Sequence, residues 1–263
     1  MTSPFFSLIF VNYQSARLLK RAIASWEAPL RNFAYEIIIV NNDSQENEAI
    51  TALAVPDKVI VKNLNENVGF GKANNQAAEL ARGKWFFLLN PDTEYLNGSI
   101  EALLPVLEAY PLSLGGIRLV DGKGREELWS AGPCPTLFRL IRNHLLGPIS
   151  PLPWAEPVFH EIDWVSGAAL FVSRESFQIL GGFSEEFFLY FEDVDLAKRA
   201  EYVGIARWRY PGLTVRHIGG ASQGIQSTQK AVYYASERQY FKKHRPWLET
   251  KMLSCLHQLL YSA

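Results

Sequence analysis

The chain has 263 residues, of which 48% are hydrophobic and 20% charged, and its formal net charge is −1. This composition excludes intrinsically disordered and collagen-like chains, and the length is sufficient to bury a sizeable core without disulfides or a structural metal. Because the charges balance, the chain offers no basic field for nucleic acid, and we expect no nucleic-acid partner.

Short apolar runs alternate with segments of helical periodicity over the first 95 residues. The runs occupy residues 7–11, 37–40, 59–61 and 85–89, and this alternation is typical of a parallel sheet with connecting helices. Ser15 is placed to cap the first helix, and residues 71–82 have the apolar spacing of another. We therefore predict a mostly parallel βαβαβαβ half with right-handed crossovers.

The chain from residue 96 onward is less regular and carries a proline-rich stretch over residues 133–157. Apolar side chains within that stretch indicate a folded excursion rather than a domain boundary. We therefore predict one α/β domain over residues 1–245, with a second half that shapes the substrate site. A long helix is predicted from about Gln226 to His244, followed by an amphipathic C-terminal helix over residues 246–263.

Three features of the sequence bear on where the protein works. The N-terminal apolar stretch lacks the positive flank and cleavage site of a signal peptide, and no apolar run approaches the roughly 18 to 20 residues of a membrane span. Cys134 and Cys255 match no disulfide framework or zinc spacing, which favours a cytoplasmic location. The basic, aromatic C-terminal helices predict either a face packed against the body or peripheral contact with the inner face of the cell membrane.

Polar residues follow each of the four apolar runs. They are Asn12 after the first; Asn41, Asn42, Asp43 and Ser44 after the second; Asn63 to Asn67 after the third; and Asn90 and Asp92 after the fourth. Because ligands bind at the carboxyl ends of parallel strands, this row of amides and carboxylates suits a nucleotide base, a ribose and a metal-bound diphosphate. The alternative is that these residues form turns and cap helices, as Asn, Asp and Ser commonly do.

The familiar glycine-rich phosphate signatures are absent from the sequence. It has no GxGxxG and no GxxxxGK[ST] motif, which argues against a dinucleotide oxidoreductase or a P-loop enzyme. Without a glycine cradle, a diphosphate needs a cation, for which Asp92 offers a carboxylate oxygen. Gly69 permits a close backbone approach, and the helix start that contains Asn74 attracts anions.

Five segments carry a family resemblance: residues 7–13, 36–44, 65–74, 87–93 and, most specifically, the block GGFSEEFFLYFEDVDL at residues 181–196. They resemble glycosyltransferase family 2, and in particular its bacterial rhamnosyltransferase-like members. The resemblance implies a GT-A fold, with a nucleotide-sugar-binding half at residues 1–95 and an acceptor and catalytic half at residues 96–245. It also implies inverting transfer of a sugar, with rhamnose expected, from a nucleoside-diphosphate donor to a hydroxyl of a saccharide or lipid-linked acceptor in bacterial surface polysaccharide synthesis.

The resemblance assigns donor and metal roles to residues at the strand ends. The base-reading aspartate of the family falls on Asn41, and Asp43 is expected to take over its role. The DxD motif of the family falls on Asn90-Pro91-Asp92, which leaves Asp92 to hold Mg²⁺ or Mn²⁺, with His217 as a second ligand, and implies weaker metal affinity. The donor-binding candidates are Asn12, Asn41, Asp43, Asn67, Gly69, Asn74, Asn90 and Asp92.

The pair Glu192-Asp193 resembles the acidic motif that supplies the general base of the family. Transfer to a hydroxyl needs one carboxylate within hydrogen-bond reach of that hydroxyl. We assign this role to Asp193, with Glu192 and Asp195 as its orienting neighbours. The alternative is that Glu192, Asp193 and Asp195 only complement the dipole of a helix start, which would also lower the pKa of these carboxyls.

Aromatic residues are concentrated around the acidic pair. Because sugar rings present apolar C–H faces, aromatic walls suit an acceptor groove. Trp164 and Tyr190, which are amphipathic, are the candidates for acceptor contact, together with Gly167. The phenylalanines of the block are expected to be mostly core or loop anchors: Phe183, Phe187, Phe188 and Phe191.

Two other functions remain compatible with the sequence. A nucleotidyltransferase on a similar sheet would make an activated sugar, but such enzymes typically carry a glycine-rich basic loop after the first strand, where this chain has Asn12-Tyr13-Gln14-Ser15. A catalytically degenerate carbohydrate-binding module is the other, motivated by the asparagines at positions 41 and 90. Donor hydrolysis or transfer, assayed with and without a chelator, separates the three functions.

Overall fold

The computed structural model describes residues 3–128, 130–147, 160–218 and 227–261. The strands are β1 (Phe6–Asn12), β2 (Tyr35–Asn41), β3 (Val59–Asn63), β4 (Trp85–Leu89), β5 (Thr93–Gly98), β6 (Ser113–Val120), β7 (Ala131–Gly132), β8 (His160–Glu161), β9 (Trp164–Val165), β10 (Ala169–Ser173) and β11 (Ala206–His217). The helices are α1 (Ala16–Glu27), α2 (Asn47–Thr51), α3 (Phe70–Leu80), α4 (Leu104–Ala109), α5 (Leu137–Leu146), α6 (Arg174–Ile179), α7 (Glu192–Tyr202), α8 (Ser227–His244) and α9 (Trp247–Tyr261).

Within the described residues, nine strands form one sheet in the order β3-β2-β1-β4-β10-β6-β11-β5, with β8 paired to β11, and β7 pairs separately with β9. Strands β1 to β4 run parallel, which confirms the predicted N-terminal half. Strand β10 then runs antiparallel to both β4 and β6. Its first residue, Ala169, lies opposite Leu89 at the end of β4. The second half of the chain therefore reaches the carboxyl ends of the parallel strands.

Helices cover both faces of the parallel strands. On one face, Trp26 of α1 belongs to the same buried cluster as Leu8 of β1, and on the other, Ala77 of α3 belongs to a cluster with Ile9. Because alternate side chains of a strand point to opposite faces, a strand covered on both faces is apolar almost throughout. This packing fixes the strand ends from which the polar loops emerge.

Helix α1 begins where Ser15 predicted, but another residue supplies the cap. The Ser15 hydroxyl donates to the carbonyl of Tyr13 and does not cap the helix. Instead, the carboxylate of Glu46 accepts hydrogen bonds from the backbone N–H groups of Ser15 and Ala16, at 2.9 and 3.2 Å. A carboxylate at a helix N-terminus also complements the helix dipole, so Glu46 ties the loop after β2 to the loop after β1.

Strand β11 is longer than the sequence indicated. The sequence predicts a strand near residues 212–215 with His217 in a loop, whereas His217 is the last residue of a strand that begins at Ala206. Pro211 lies within it, where the pairing with β6 shifts register between Tyr210 and Thr214. Proline is tolerated at such an irregularity because no ladder hydrogen bond is required there. His217 is consequently held on the sheet.

The proline-rich stretch is folded over its described part. Thr136 caps α5 by accepting a hydrogen bond from Arg139 N at 3.2 Å, and Leu137 of α5 is buried. The predicted excursion is therefore confirmed up to residue 147, while residues 148–157 lie outside the described residues.

The two C-terminal helices follow the predicted bounds closely. They pack on the start of α7 through an apolar cluster comprising Leu137, Phe187, Phe191, Val194, Tyr240, Phe241 and Leu253. Helix α7 ends at Tyr202, and the next residue, Val203, is exposed. No helix in the described part of the chain is both long and apolar enough to cross a membrane.

Candidate active site

Hydrogen bonds bring the loop after β4 and the start of α7 together around the first residues of β10. Asn90 N donates to Ala168 O at 2.9 Å, and Gly167 N donates to Oδ2 of Asp193 at 2.8 Å. Asn90 stands two residues before Asp92, and Gly167 directly precedes Ala168. The segment predicted to hold the metal and the segment predicted to hold the base therefore meet at one edge of the sheet.

The start of α3 is joined to the acidic block by a close backbone contact. Phe70 N donates to Phe188 O at 2.9 Å. Gly69 has φ 90°, and a Cβ there would lie 2.5 Å from the Phe188 oxygen, so the turn requires glycine. The Phe70 N–H is thus satisfied by the protein, and anion binding by the α3 N-terminus stays a prediction for its other N–H groups.

The chain enters α7 through a strained turn. Tyr190 and Phe191 have φ of 68° and 65°, in the left-handed region that residues with a side chain rarely adopt. Aromatic packing holds both: the Tyr190 ring lies 5.7 Å from that of Tyr233, and the Phe191 ring 5.6 Å from that of Tyr240. Strain maintained by surrounding structure is common where a side chain must be positioned for function, and here Glu192 and Asp193 follow directly.

Glu192 is buried and Asp193 is half-buried, and desolvation dominates the electrostatics of the pair. Burial raises the pKa of Glu192 well above its ordinary value, and the nearby charge of Asp193 adds to the effect. The Oε2 atom of Glu192 has no hydrogen-bond partner among the described residues. Burial also raises the pKa of Asp193, although the N–H groups of Gly167 and Val194 oppose the shift. The expectation that the helix dipole lowers these pKa values was therefore wrong in net direction, because desolvation outweighs it.

Asp195 behaves differently from its two neighbours. Its carboxylate is fully buried and accepts from Arg199 Nε at 2.8 Å, Lys243 Nζ at 2.9 Å and His244 Nε2 at 2.7 Å. Burial alone would raise the pKa of Asp195, but these three groups together hold it well below its ordinary value. Asp195 therefore anchors α8 to α7 and is committed to structure.

His217 lies between two carboxylates. Its Nε2 is 3.3 Å from Asp92 Oδ1, and its Nδ1 is 3.1 Å from both carboxylate oxygens of Glu127. Burial would lower the pKa of His217, but Asp92 and Glu127 outweigh burial and raise it to about 10. Without a cation, His217 is therefore an imidazolium that bridges the two acids.

The residues beside His217 fit a divalent cation that takes the place of its proton. A carboxylate oxygen of Asp92 and the imidazole Nε2 of His217 lie next to each other, and both kinds of atom are ordinary metal ligands. In the described ranges, no group of three or more His, Cys, Asp or Glu side chains is arranged to hold a metal. Asp92 and His217 would thus be the protein's ligands, and a bound diphosphate would complete the set.

Sequence reasoning missed Glu127. It lies beyond β6 in a stretch without a recognisable motif, 90 residues from its histidine partner. Only the parallel pairing of β6 with β11 brings this region of the chain near His217. No local pattern could have identified it.

The amides after β1 and β2 are buried and bonded to each other. Asn12 Nδ2 donates to Asn41 Oδ1 at 2.9 Å and to Glu46 at 2.8 Å, and Asn41 Nδ2 donates to Asp43 O and Asn47 Oδ1, both at 2.8 Å. Asp43 Oδ1 accepts from a backbone N–H two residues on and so caps a short turn. These hydrogen bonds are of the kind that the turn-and-cap alternative describes, and the donor-binding roles of Asn12, Asn41 and Asp43 stay predictions.

Most of the remaining candidates for binding the nucleotide-sugar donor surround the start of α3. Asn67 Oδ1 accepts from Asn42 Nδ2 at 2.7 Å and from Gly69 N at 3.0 Å, which shapes the loop before the helix. The buried Asn74 donates from Nδ2 to Phe70 O at 3.0 Å. Asn90 Nδ2 lies 3.4 Å from His217 Nε2, beside the metal candidates. Of this set, Asn90 is directly coupled to the site that Asp92 defines.

The acceptor candidates lie around the same edge. A Cβ on Gly167 would be 3.2 Å from the Phe70 ring and 3.6 Å from Asp193 Cβ, so this backbone lies directly against the base candidate. The half-buried Trp164 donates from Nε1 to Pro133 O at 3.1 Å. Tyr190 is also half-buried. Phe183, Phe187 and Phe191 are buried, which confirms their predicted role as anchors. Phe188 is instead 47% exposed.

The fold is that of the GT-A glycosyltransferases. A crystal structure of GalNAc-T7 with UDP, GalNAc and Mn²⁺ matches with a TM-score of 0.67 at 13% identity, over 92% of this chain and 48% of that one. The chain thus spans about half the length of that structural relative. This likeness confirms the predicted GT-A architecture, while the domain boundaries at residues 95 and 245 stay predictions.

The family follows from the sequence comparison. The model of glycosyl transferase family 2 matches residues 7–157, and the chain belongs to this family. N-acetylglucosaminyl-diphospho-decaprenol L-rhamnosyltransferase of Mycobacterium tuberculosis is 29% identical over 82% of this chain and 77% of its own length. Rhamnosyltransferase WbbL of Escherichia coli is 23% identical over 57% of this chain and 60% of its own. The predicted resemblance is confirmed, and the chain is a glycosyltransferase rather than a nucleotidyltransferase.

Proposed function

We propose that this chain is an inverting, metal-assisted glycosyltransferase that moves rhamnose from a nucleoside-diphosphate donor to a hydroxyl of a lipid-linked saccharide in bacterial surface polysaccharide synthesis. The observation that carries the proposal is the hydrogen bond from Gly167 N to Asp193 Oδ2, 2.8 Å long. It fixes a carboxylate of raised pKa at the sheet edge that also carries Asp92 and His217. The geometry therefore offers a base and a diphosphate site on one edge, as inversion by direct displacement requires.

The side chains divide the reaction between them. Asp193 accepts the proton of the acceptor hydroxyl through a carboxylate oxygen, while the hydroxyl oxygen bonds to the anomeric carbon and the nucleoside diphosphate departs from the opposite face. The raised pKa of Asp193 makes it a stronger base than an exposed aspartate. A divalent cation held by Asp92 and His217 would neutralise the charge that grows on the departing diphosphate. Glu192, buried next to the base in the chain, is proposed as its orienting neighbour.

The choice of donor and acceptor rests on relatives. The Mycobacterium tuberculosis relative is named for rhamnosyl transfer to a diphospho-decaprenol-linked sugar, and the Escherichia coli relative is also named a rhamnosyltransferase. The GalNAc-T7 structure of the same fold contains UDP and Mn²⁺. These names support a nucleotide-sugar donor, a divalent cation, either Mg²⁺ or Mn²⁺, and a lipid-linked acceptor for this chain.

Such an acceptor places the reaction at a membrane. We propose that the enzyme works on the cytoplasmic side and touches the inner face of the membrane through its C-terminal helix, residues 246–263. The described part of that helix carries Trp247, Leu248 and Met252 as exposed apolar side chains. Helices with exposed aromatic and basic residues bind at such interfaces.

Asparagine in place of Asp193 tests the assignment of the base. Asn retains the shape of the side chain but cannot accept a proton. We therefore expect the rate of sugar transfer to fall by a factor of about 100 to 10,000. Binding of UDP or dTDP with Mn²⁺, measured as a rise in melting temperature, should be unchanged. Treatment with EDTA followed by Mn²⁺ addition measures metal dependence in the same assay, and the anomeric configuration of the product measures inversion.

Glu185→Gln is the matched control for Asp193→Asn. Glu185 lies in the same acidic block but is half-exposed, and it pairs with the exposed Lys72 at 3.4 Å. We expect wild-type transfer from this variant. Full turnover by Asp193→Asn, or an equal loss in both variants, would remove Asp193 from the role of base.

A further inference from the structure

The most exposed large apolar side chains of the described residues are concentrated on two helices. Leu146, Phe138 and Leu145 on α5 are 79%, 75% and 72% exposed, and Trp247 on α9 is 68% exposed. Leu248 and Met252 on α9 are also at least half exposed. We call these six residues the α5–α9 apolar surface. A large exposed patch of apolar side chains typically marks a surface that binds another protein, a ligand or a membrane.

The two helices that bear this surface are in direct contact. Leu137 N, at the start of α5, donates to Glu249 Oε2 of α9 at 3.1 Å. Phe138 and Leu248 are the chain neighbours of these two residues, so the exposed side chains belong to two helices that contact each other. On α5, the spacing of Phe138, Arg142 and Leu145 at i, i+4 and i+7 places them on one face.

The surface also lies beside the catalytic helix. Leu137 of α5 and Leu253 of α9 belong to the buried cluster that contains Phe191 and Val194, the residues on either side of Glu192 and Asp193. The apolar surface is therefore on the outer side of helices whose inner side packs against the base-bearing turn. An occupant of this surface would be close to the acceptor end of the site.

Charge identifies the occupant. Helix α5 contains two arginines and no acidic residue, and residues 227–261 contain six Lys and Arg against two Glu, in a chain whose net charge is −1. Arg142 lies within the apolar face of α5, and the Lys251 ammonium lies 4.7 Å from the centre of the Trp247 ring. Apolar and aromatic side chains interleaved with cations complement an anionic lipid surface, which offers both hydrocarbon and negative headgroups.

We propose that the α5–α9 apolar surface docks the enzyme on an anionic lipid bilayer, with α5 as a main contact in addition to the C-terminal helix. Phe138, Leu145 and Leu146 enter the interface beside Trp247, and Arg142 and Lys251 contact lipid phosphates. The proposal rests on the proposed function only in that a lipid-linked acceptor would lie in the same bilayer. Docking through α5 would present the acceptor side of Asp193 to the membrane.

Vesicle sedimentation of the full chain tests the proposal. We expect the wild type to sediment with vesicles of equal parts phosphatidylglycerol and phosphatidylcholine, and far less with phosphatidylcholine alone. Phe138→Ser combined with Leu145→Ser should weaken binding about tenfold or more, because two side chains no longer leave water on docking. Arg142→Gln combined with Lys251→Gln should weaken binding about tenfold, and only to the anionic vesicles.

The matched control is Ile179→Ser combined with Tyr110→Ser. Both residues are exposed, at 52% and 40%; Ile179 is the last residue of α6 and Tyr110 directly follows α4, so neither belongs to the α5–α9 apolar surface. We expect this control to bind vesicles as the wild type does. A wild type that fails to sediment, or an α5 double variant that sediments like the wild type, overturns the proposal. If light scattering instead shows a wild-type dimer that the α5 double variant abolishes, and the wild type binds no vesicles, the docking proposal is overturned in favour of self-association.

A separate measurement distinguishes this proposal from the proposed function. The rise in melting temperature on adding UDP or dTDP with Mn²⁺ should be the same in the wild type and all these variants. If vesicle binding fails while nucleotide stabilisation persists, the docking surface is wrong and the proposed function stands. If nucleotides have no effect on a wild type that binds vesicles, the proposed function is wrong and the docking surface stands. An α5 variant with an unchanged melting temperature is folded, so its vesicle result can be interpreted directly.

Discussion

The first turn of α7 contains two kinds of carboxylate within four residues. Asp193 accepts from Gly167 N just before β10, and Glu192 lies beside Gly71 of α3. Neither has a cation among its described contacts, and burial raises the pKa values of both. Asp195 faces α8 and meets Arg199, Lys243 and His244, which lower its pKa. All three acids share one helix start and hence one dipole. The comparison shows that the side-chain partners Arg199, Lys243 and His244, and not position on the helix, decide the sign of the shift.

This difference separates structural from chemical roles. A buried carboxylate whose acceptor capacity is fully used is held ionised and cannot easily exchange a proton. A desolvated carboxylate with no cation beside it has a pKa nearer to the working pH, which is what a general base requires. By this criterion Asp193 and Glu192 take part in the reaction, whereas Asp195 attaches α8 to α7.

Removing the charge at each position tests this comparison most strongly. Asp195→Asn leaves Arg199, Lys243 and the His244 ring around a neutral buried amide, and we expect the free energy of unfolding to fall by about 3 to 5 kcal/mol in urea denaturation. Glu192→Gln, in the same turn, removes a carboxylate that burial already disfavours, and should change this free energy by about 1 kcal/mol or less. Equal losses in the two variants would contradict the division of roles.

The pH dependence of Asp195 has a definite sign. Because its folded pKa is lowered, its contribution to stability is present above the ordinary aspartate pKa of 3.8 and is lost as the pH falls. The stability difference between the wild type and Asp195→Asn should therefore narrow on acidification.

His217 is the reverse case, a buried cation between two acids. Its folded pKa of about 10 lies above the ordinary value of 6.5, so its stabilising contribution is complete below pH 6.5 and is lost as the pH rises toward 10. In EDTA, we expect the unfolding free energy of the wild type to fall over this range by about 2 kcal/mol or more. His217→Gln should show a smaller fall over the same range. Parallel curves for the two proteins would show that His217 does not hold the extra proton.

Local pattern accounts for much of the fold and part of the site. The apolar runs gave the four parallel strands, and the periodicity after Gln226 gave α8 with its end at His244. The block at residues 181–196 pointed to Asp193. The pKa direction of Asp193 could not be inferred, since the dipole is visible in the sequence but the tertiary packing that desolvates the carboxylate is not. The place of His217 was missed because Pro211 resembles a strand break.

Glu127 is the clearest residue that only the tertiary structure identifies, and its expected effect is the smallest of these. By accepting from Nδ1, it orients the ring so that Nε2 faces Asp92, the arrangement in which an outer carboxylate tunes a metal-binding histidine. Glu127→Gln keeps the size but weakens this acceptor, and we expect Mn²⁺ affinity, measured by electron paramagnetic resonance, to fall about tenfold. Glu126→Gln, next in the chain and paired with Arg118 at 2.7 Å, is the control and should leave affinity unchanged. Because a purely structural role for Glu127 would lower the melting temperature without changing Mn²⁺ affinity, unaltered affinity in a destabilised variant would assign Glu127 to the fold alone.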